Sequence, residues 1–143
     1  MTVKSILSTK GSAVVGIGPD ATAQEAAELM EECRIGALVV TTSDFVAGLL
    51  THRDLTKGLA RLGGKFATTP VKELMQHYFV SVSPEESTTA VMALMTRRRA
   101  THLPVMDRGR LLGIVSIGDV VKNRLEEMET ETNVLREAYI ARK

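Results

Sequence analysis

The chain of 143 residues has the length of one ordinary domain, which is enough to bury a core without disulfides or a bound metal. Its net charge of +1 excludes a strong overall attraction to nucleic acid or anionic lipid, and an aromatic content of 3% leaves little material for stacking single-stranded bases. The single Cys33 and the lack of a signal-like or membrane-length apolar run predict a soluble, cytoplasmic protein.

The first half of the chain predicts a strand, a helix, a hairpin and a second helix. The apolar run 14–17 predicts a short strand. Thr22 and Glu25 have the spacing of a capping box, which opens a helix through about Arg34. The remaining predicted elements are a hairpin of the runs 37–40 and 46–50 around the turn Ser43–Asp44, and a helix from about Thr51 to Gly63–Gly64.

The second half predicts the same order of elements. These are a strand at 80–82, a helix from about Ser87 to Arg99, strands at 103–106 and 111–115, and a helix from Ser116. The turn at 107–110, which contains Gly109, is the clearest hairpin signal in the chain. Thr69 and Pro70 have the residue types of an N-cap and a first helical position, which predicts a short helix over 71–75. The charged segment 126–143 predicts a mostly exposed helix with an apolar stripe for packing or dimerisation.

The two halves also match residue by residue, without a gap, at a constant offset of 65 positions. Pro19 matches Pro84, and Asp54 matches Asp119. Further matches at this offset are Leu29 with Leu94, Met30 with Met95, Arg34 with Arg99, Gly48 with Gly113 and Lys57 with Lys122. A repeat unit that cannot bury its own apolar face packs on its neighbour, so we expect the two copies to pack together.

Two segments, 48–54 and 113–119, have the composition of a binding site. Each has a glycine, two apolar residues, a hydroxyl residue and an aspartate three positions later. One interpretation is structural, because Thr51 with Asp54, or Ser116 with Asp119, has the form of a capping box at a helix N-terminus.

The other interpretation is functional, and it uses the same geometry. A helix N-terminus favours a phosphate, the hydroxyl residue can bond a phosphate oxygen, and the aspartate can accept both hydroxyls of a ribose. A glycine in front of them would let the ligand approach the strand. Because both halves carry the same arrangement, we favour binding over capping alone.

The chain resembles a tandem pair of CBS domains, the cystathionine-β-synthase-type repeat also called a Bateman module. The resemblance covers roughly residues 1–128 and is carried by the segments 48–54, 100–105 and 113–119. It implies an α/β fold of two βαββα CBS repeats related by pseudo-two-fold symmetry and packed as one Bateman module. It also implies adenine-nucleotide ligands, of which AMP, ATP and NAD are the candidates, with no catalytic cofactor and no metal. The implied boundaries are 1–66 for the first repeat with its lead-in, 67–128 for the second repeat and 129–143 for a C-terminal helical extension.

The resemblance assigns roles to particular residues. Asp54 and Asp119 match the ribose-binding aspartate, whereas Thr51 and Ser116 match the phosphate-binding hydroxyl. The backbone of the first strand of each repeat faces the adenine in this family. The candidate ligand-binding residues of the first half are Gly16, Ile17, Gly36, Ala37, Thr51, His52, Arg53 and Asp54. Those of the second half are Val80, Ser81, Thr101, His102, Pro104, Ser116, Ile117, Gly118 and Asp119.

The two sites are expected to be unequal. Family members often carry a basic pair where this chain has Thr101–His102, and its counterpart in the first half is Gly36–Ala37. If the family's cross-repeat arrangement holds, the Thr51–Asp54 ligand meets Arg53 and His102, so this site is expected to be the more cationic.

The resemblance favours a regulatory module that senses a nucleotide and modulates an unknown protein partner, rather than an enzyme. The chief alternative is a structural or interaction module with no bound nucleotide, and an enzyme is a third possibility. The three histidines do not have the spacing of metal ligands. The three arginines at 97–99 are interpreted as the solvated C-terminal end of a helix, where cations are favoured by the helix dipole, rather than as a nucleic-acid-binding patch. Cys33 is expected to be a buried, inert thiol. A homodimer is expected, with helix faces that contain Leu55, Leu59, Leu62, Val120, Val121 and Leu125.

Overall fold

The computed structural model describes residues 1–43 and 45–141, and within it the chain forms two compact units. Residues 13–81 form one, which we call the first-repeat unit. Residues 1–12 together with the segment from Val82 onward form the other, which we call the second-repeat unit. Asp44 of the predicted turn and the last two residues of the predicted C-terminal extension lie outside the described residues.

The first-repeat unit has a three-stranded sheet and two helices. Its elements are β1 (Gly16–Ile17), α2 (Ala23–Cys33), β2 (Ala37–Thr42), β3 (Phe45–Thr51) and α3 (His52–Leu62), followed by short 3-10 turns at Gly63–Lys65 and Val71–Glu73. Strand β2 lies between β1, to which it is parallel, and β3, to which it is antiparallel. Its core consists of Ala23, Ala26, Met30, Leu38, Val40, Leu50, Leu55 and Val71.

The second-repeat unit has a two-stranded sheet and three helices. Its elements are α1 (Val3–Lys10), α4 (Thr88–Arg98), β4 (His102–Asp107), β5 (Arg110–Ser116) and the 25-residue α5 (Ile117–Ala141). The turn between β4 and β5 has positive φ at both central residues, Arg108 (51°) and Gly109 (78°), as a tight two-residue hairpin requires. This confirms the predicted hairpin.

The predicted strand at 80–82 is wrong, because only Val82 pairs, through a parallel bridge to Val105. In the first-repeat unit, the N–H of Val39 extends the corresponding ladder by donating to the O of Val15 at 3.0 Å. The residue at the position of Val39 in the second repeat is Pro104, which has no N–H to donate. The proline at this position therefore shortens the first strand of the second repeat.

Each unit contains the segment that precedes the other repeat in sequence. The N–H of Val71 donates to the O of Ala21 at 2.7 Å in the first-repeat unit, and that of Val3 donates to the O of Glu86 at 2.9 Å in the second. We call residues 1–12 and 66–81 the lead-in segments. The boundaries at 66/67 and 128/129 follow the sequence repeat and stay a prediction, since packing groups the lead-in segments differently.

The helix ends confirm most of the capping signals. The Thr22 side chain accepts from the N–H of Glu25 at 3.2 Å, and the Glu25 carboxylate accepts from the N–H of Thr22 at 3.1 Å. Pro70 differs from expectation, because it precedes the 3-10 turn in an extended conformation (φ −64°, ψ 143°). The bridge that pairs Pro70 with Thr22 keeps it extended. Cys33, expected to be buried, is exposed at the end of α2.

Two residues of the predicted dimer faces are also placed differently. Leu55 belongs to the core of its unit and is 8% exposed, and Val120 is fully buried. Both side chains therefore stabilise their own unit and contribute nothing to a dimer surface. Leu59, Val121 and Leu125 are exposed as expected.

The motif glycines make room for the lead-in segments rather than for a ligand. A Cβ on Gly48 would lie 2.7 Å from the backbone O of Gln76 and 2.7 Å from the Sδ of Met75. A Cβ on Gly113 would lie 2.9 Å from the Cδ2 of Leu7. The sequence interpretation, in which these glycines admit a ligand, is corrected by these contacts.

Gly48→Ala is therefore expected to lower the free energy of unfolding by about 2 kcal/mol, because backbone at 2.7 Å must move to admit the methyl group. Gly113→Ala should cost less, since its neighbour is the end of a flexible leucine. Urea denaturation of the parent protein and of both variants measures these changes in the free energy of unfolding. Gly18→Ala is the matched control, because no atom lies within 4 Å of that Cβ position. An equal effect of Gly18→Ala and Gly48→Ala would contradict the packing argument.

Candidate functional site

The first candidate site lies at the N-terminus of α3, where Thr51 and Asp54 cap the helix. The N–H of Thr51 donates to Asp54 Oδ2 at 2.9 Å, and the Thr51 hydroxyl donates to the same oxygen at 3.0 Å. The N–H of Asp54 donates back to Thr51 Oγ1 at 3.3 Å. Thr51 is 7% exposed and Asp54 9% exposed. The capping box that the sequence predicts is therefore present, and the carboxylate is held in one orientation.

Gln76 is a third member of this site, which the sequence reasoning missed. Its side-chain Nε2 donates to Asp54 Oδ2 at 3.0 Å. The backbone of Gln76 is fixed by two hydrogen bonds to Leu49 on β3, of 2.8 and 3.1 Å. Three neutral donors therefore converge on one oxygen of Asp54. The only signal in the sequence was Gly48, whose missing side chain lets this lead-in segment cross β3.

The second candidate site, at the N-terminus of α5, has the same cap but a charged neighbour. The N–H of Ser116 donates to Asp119 Oδ2 at 2.8 Å, and the N–H of Asp119 donates to Ser116 Oγ at 3.1 Å. Lys10 Nζ, at the end of α1, donates to Asp119 Oδ2 at 2.6 Å and to the O of Ile114 at 2.9 Å. The sequence reasoning did not place Lys10 in this site.

The ionisation of Asp119 follows from these neighbours. Burial raises the pKa of Asp119, but the hydrogen bonds from Lys10 and Ser116 and the charge of Lys10 together lower it below its ordinary value. The carboxylate is therefore ionised at neutral pH. An ionised carboxylate is an acceptor only, as binding of ribose hydroxyls requires.

Equivalent backbone pairs join the other candidate residues to each cap. Ala37 pairs with Thr51, and the N–H of His52 donates to the O of Gly36 at 3.1 Å. In the second-repeat unit, residues at the same offset repeat this arrangement. His102 pairs with Ser116, and the N–H of Ile117 donates to the O of Thr101 at 2.8 Å. The structure thus brings each of these pairs to the helix N-terminus of its own repeat.

The remaining candidates lie on strands, at the exposed starts of helices or, for Val80 and Ser81, in the segment before the Val82 bridge. In β1, Gly16 and Ile17 pair with Val39 and Val40 of β2. In β4, the O of Pro104 accepts from the N–H of Val82 at 2.9 Å. Residues with exposed side chains or backbone include His52, Arg53, Ser81, Ile117 and Gly118, whereas Val80 is half-buried. The Thr101 hydroxyl lies 3.0 Å from Nδ1 of His102.

Each aspartate also lines a small cavity with two cations of its own unit. Asp54 shares a cavity of about 300 Å³ with Lys57 and Arg61. Asp119 shares one of about 120 Å³ with Lys10 and Lys122. The expectation of a more cationic first site counted only Arg53 and His102, so it left out these four cations. The clearest difference between the sites is how each aspartate is held, by neutral donors in one and by an ion pair in the other.

The described residues offer neither a metal site nor a membrane-spanning helix. Across residues 1–43 and 45–141, no three His, Cys, Asp or Glu side chains are grouped as metal ligands. None of the helices in this described part combines the length and the apolarity that a membrane span needs.

Comparisons with known proteins agree with the repeat. A CBS domain profile matches residues 3–61 and 71–126. The chain is similar to the CBS domain-containing protein YhcV of Bacillus subtilis, with 33% identity over 123 residues that cover 86% of this chain and 87% of the relative.

Solved structures give the same result. The CBS-domain containing protein ATU1752 of Agrobacterium tumefaciens is 42% identical, with a TM-score of 0.84 over 87% of this chain and 99% of that one. The CBS domain pair of protein MJ0100, solved with 5′-methylthioadenosine and S-adenosyl-L-methionine, shares the fold at 22% identity and a TM-score of 0.76, over 89% of this chain and 98% of that one. With the profile matched over most of its length and two α/β repeats in its structure, the chain belongs to the CBS domain family.

Proposed function

We propose that this protein is a regulatory module that binds adenine nucleotides, of the AMP, ATP or NAD type, and modulates a protein partner. One observation carries the proposal: both repeats present a hydroxyl and an oriented carboxylate at a helix N-terminus, with the same spacing and the same backbone pairs. Such an end attracts phosphate, and the carboxylate can accept ribose hydroxyls. The MJ0100 pair, a protein of the same fold, was solved with two adenosine compounds, which supports this ligand class.

A module of this kind acts by binding and not by catalysis. A nucleotide that binds one conformation more tightly than another shifts the population between them, and a partner responds to that shift. We further propose that the protein works in the cytoplasm, in keeping with its single cysteine, and that it is a homodimer.

The second candidate function is a structural or interaction module without a nucleotide. The observation that favours it is the completeness of the caps, because Thr51 and Gln76 already occupy Oδ2 of Asp54, and Lys10 already pairs with Asp119. A ligand has to share or displace these donors. In this function the aspartates serve only to cap their helices.

Nucleotide titration separates the two functions. An adenine nucleotide at 100 times its dissociation constant should raise the free energy of unfolding by about 2.7 kcal/mol, which raises the melting temperature by about 5 to 10 °C. Thermal denaturation with AMP, ATP, NAD and, as a control for the base, GMP measures this shift. No shift with any adenine nucleotide would favour the structural module, and turnover of a bound nucleotide would indicate an enzyme.

The same titration on Asp54→Ala and Asp119→Ala tests the inequality of the sites. A ribose at Asp119 has to compete with the charged Lys10, whereas a ribose at Asp54 competes only with neutral donors. We therefore expect Asp54→Ala to weaken high-affinity ATP binding about tenfold or more, and Asp119→Ala to leave it largely intact. Calorimetry at a temperature at which both variants are folded measures the two affinities. The opposite ranking, or an equal loss in both variants, would contradict this account.

A further inference from the structure

Each motif aspartate is held by a lead-in segment, but the donors that hold it differ in charge. In the first-repeat unit, the backbone N–H of Gln76 donates to the O of Leu49 at 2.8 Å, and its side-chain Nε2 donates to Asp54 Oδ2 at 3.0 Å. Both donors are neutral. A ribose that takes over the carboxylate of Asp54 therefore displaces an amide and no charge.

Lys10 serves the same two acceptors in the second-repeat unit. Its ammonium donates to the O of Ile114 at 2.9 Å and to Asp119 Oδ2 at 2.6 Å. At the offset of 65 positions, Ile114 and Asp119 are the counterparts of Leu49 and Asp54. One charged group has thus replaced two neutral donors at an equivalent place in the repeat.

A neutral ligand at Asp119 would leave this ammonium without an anion. The side chains of Lys10 and Asp119 are 38% and 24% exposed, so water screens the pair only in part. The bond to the O of Ile114 keeps the ammonium at the site even when the carboxylate is taken over. A charge-assisted hydrogen bond is then lost, and nothing in a neutral ligand replaces it.

A ligand with a phosphate would supply the missing anion. The N–H of Ser116 and the ammonium of Lys10 donate to the same oxygen of Asp119, at 2.8 and 2.6 Å. The ammonium therefore lies beside the residue whose hydroxyl is expected to bind phosphate. With the ribose on Asp119, the flexible stem of Lys10 can turn its ammonium from the carboxylate to the phosphate.

We propose that Lys10 determines the ligand specificity of the second site, which accepts adenosine compounds with an anionic 5′ group and rejects neutral ones. This assignment rests on the proposed function, because it requires a ribose at Asp119, and it adds the ligand class of that site. The first site, where the neutral Gln76 holds the aspartate, lacks this penalty against neutral ligands.

Titration with AMP and adenosine, which differ only in the 5′-phosphate, tests the role of Lys10. Asp54→Ala confines binding to the second site, and Lys10→Met in that background removes the charge but keeps an unbranched side chain. We expect Lys10→Met to weaken AMP binding about tenfold or more, because a charge-assisted bond to phosphate is lost. It should strengthen adenosine binding about threefold or more, because the ribose no longer competes with an ammonium for Asp119.

Calorimetry measures the affinities at a temperature at which circular dichroism shows each protein to be folded. Lys10→Arg keeps the charge and should keep the preference for AMP to within about threefold. Lys122→Met is the matched control, because Lys122 is an exposed lysine that lines the same cavity one turn further along α5. It removes an equal charge and should leave adenosine binding unchanged.

The opposite response of the two ligands is the decisive result, since a loosened α1 would weaken both. If Lys10→Met changed both affinities in the same direction, or if Lys122→Met had the same effect on both ligands, the specificity role of Lys10 would be overturned. Nucleotide binding as such would still stand. A parent protein that bound neither AMP nor adenosine would instead overturn the proposed function, and the specificity of its second site with it.

Discussion

Asp54→Ala is expected to lower the free energy of unfolding by about 3 kcal/mol. The substitution removes the acceptor of three donors, namely the N–H and hydroxyl of Thr51 and the amide of Gln76. Loss of an N-cap box costs about 1 kcal/mol, and a buried donor left without an acceptor costs about 1 to 3 kcal/mol. Since Thr51 and Asp54 are both buried, water cannot easily replace the lost contacts. Urea denaturation followed by circular dichroism measures the change.

Asp20→Ala is the matched control for this substitution. The Asp20 carboxylate likewise accepts a hydrogen bond, from Lys72 Nζ at 3.0 Å, but its side chain is 84% exposed. Exposed ion pairs contribute little, so this variant should lie within about 0.5 kcal/mol of the parent. If Asp54→Ala proved as mild as Asp20→Ala, the donors around Asp54 would not depend on its carboxylate, and the site would be looser than the structure indicates.

Adenine nucleotides are expected to bind with a preference for ribose over 2′-deoxyribose of roughly 5- to 150-fold. An oriented carboxylate that accepts both ribose hydroxyls loses one of them with the deoxy analogue. A hydrogen bond to a charged acceptor that is lost in a desolvated site costs about 1 to 3 kcal/mol, which corresponds to that range of affinity. Calorimetric titration with AMP and 2′-deoxy-AMP measures the ratio.

Variants of the aspartates connect this preference to the proposed sites. Asp54→Ala combined with Asp119→Ala should bind both nucleotides weakly and equally, because no carboxylate remains to distinguish them. Equal affinity of the parent protein for AMP and 2′-deoxy-AMP would show that neither carboxylate contacts the ribose. The nucleotide sites would then have to lie elsewhere, or the module would not bind nucleotides through its caps.

Much of the fold was predictable because the relevant signals are local. A capping box depends on two residues three positions apart, so Thr22 with Glu25 and Thr51 with Asp54 could be identified from spacing alone. The tight turn at Gly109 depends on backbone freedom within two residues. The same elements and motifs recur at an offset of 65 positions, and these repeated motifs carry the resemblance to the CBS family.

The errors arose where one part of the chain meets another. The strand at 80–82 failed because its ladder needs an N–H from Pro104, more than twenty positions away in sequence. Cys33 lies on the periodic face of α2 in the sequence pattern, yet it is exposed because it is the last residue of the helix. Periodicity describes a helix face but contains no information about where the neighbouring core ends.

The candidate sites divide in the same way. The hydroxyl and aspartate of each cap, and the backbone pairs beside them, follow from short-range pattern and repeat, because capping geometry acts within one helical turn. What surrounds each aspartate depends on tertiary packing, which places Gln76 at Asp54 and Lys10 at Asp119 across sequence separations of 22 and 109 positions. The sequence signal in the second lead-in segment, the short helix predicted over 71–75, gives no information about which aspartate the segment contacts. The positions of both lead-in segments are decided by the glycines they cross and by the backbone groups they pair with, which only the folded chain brings together.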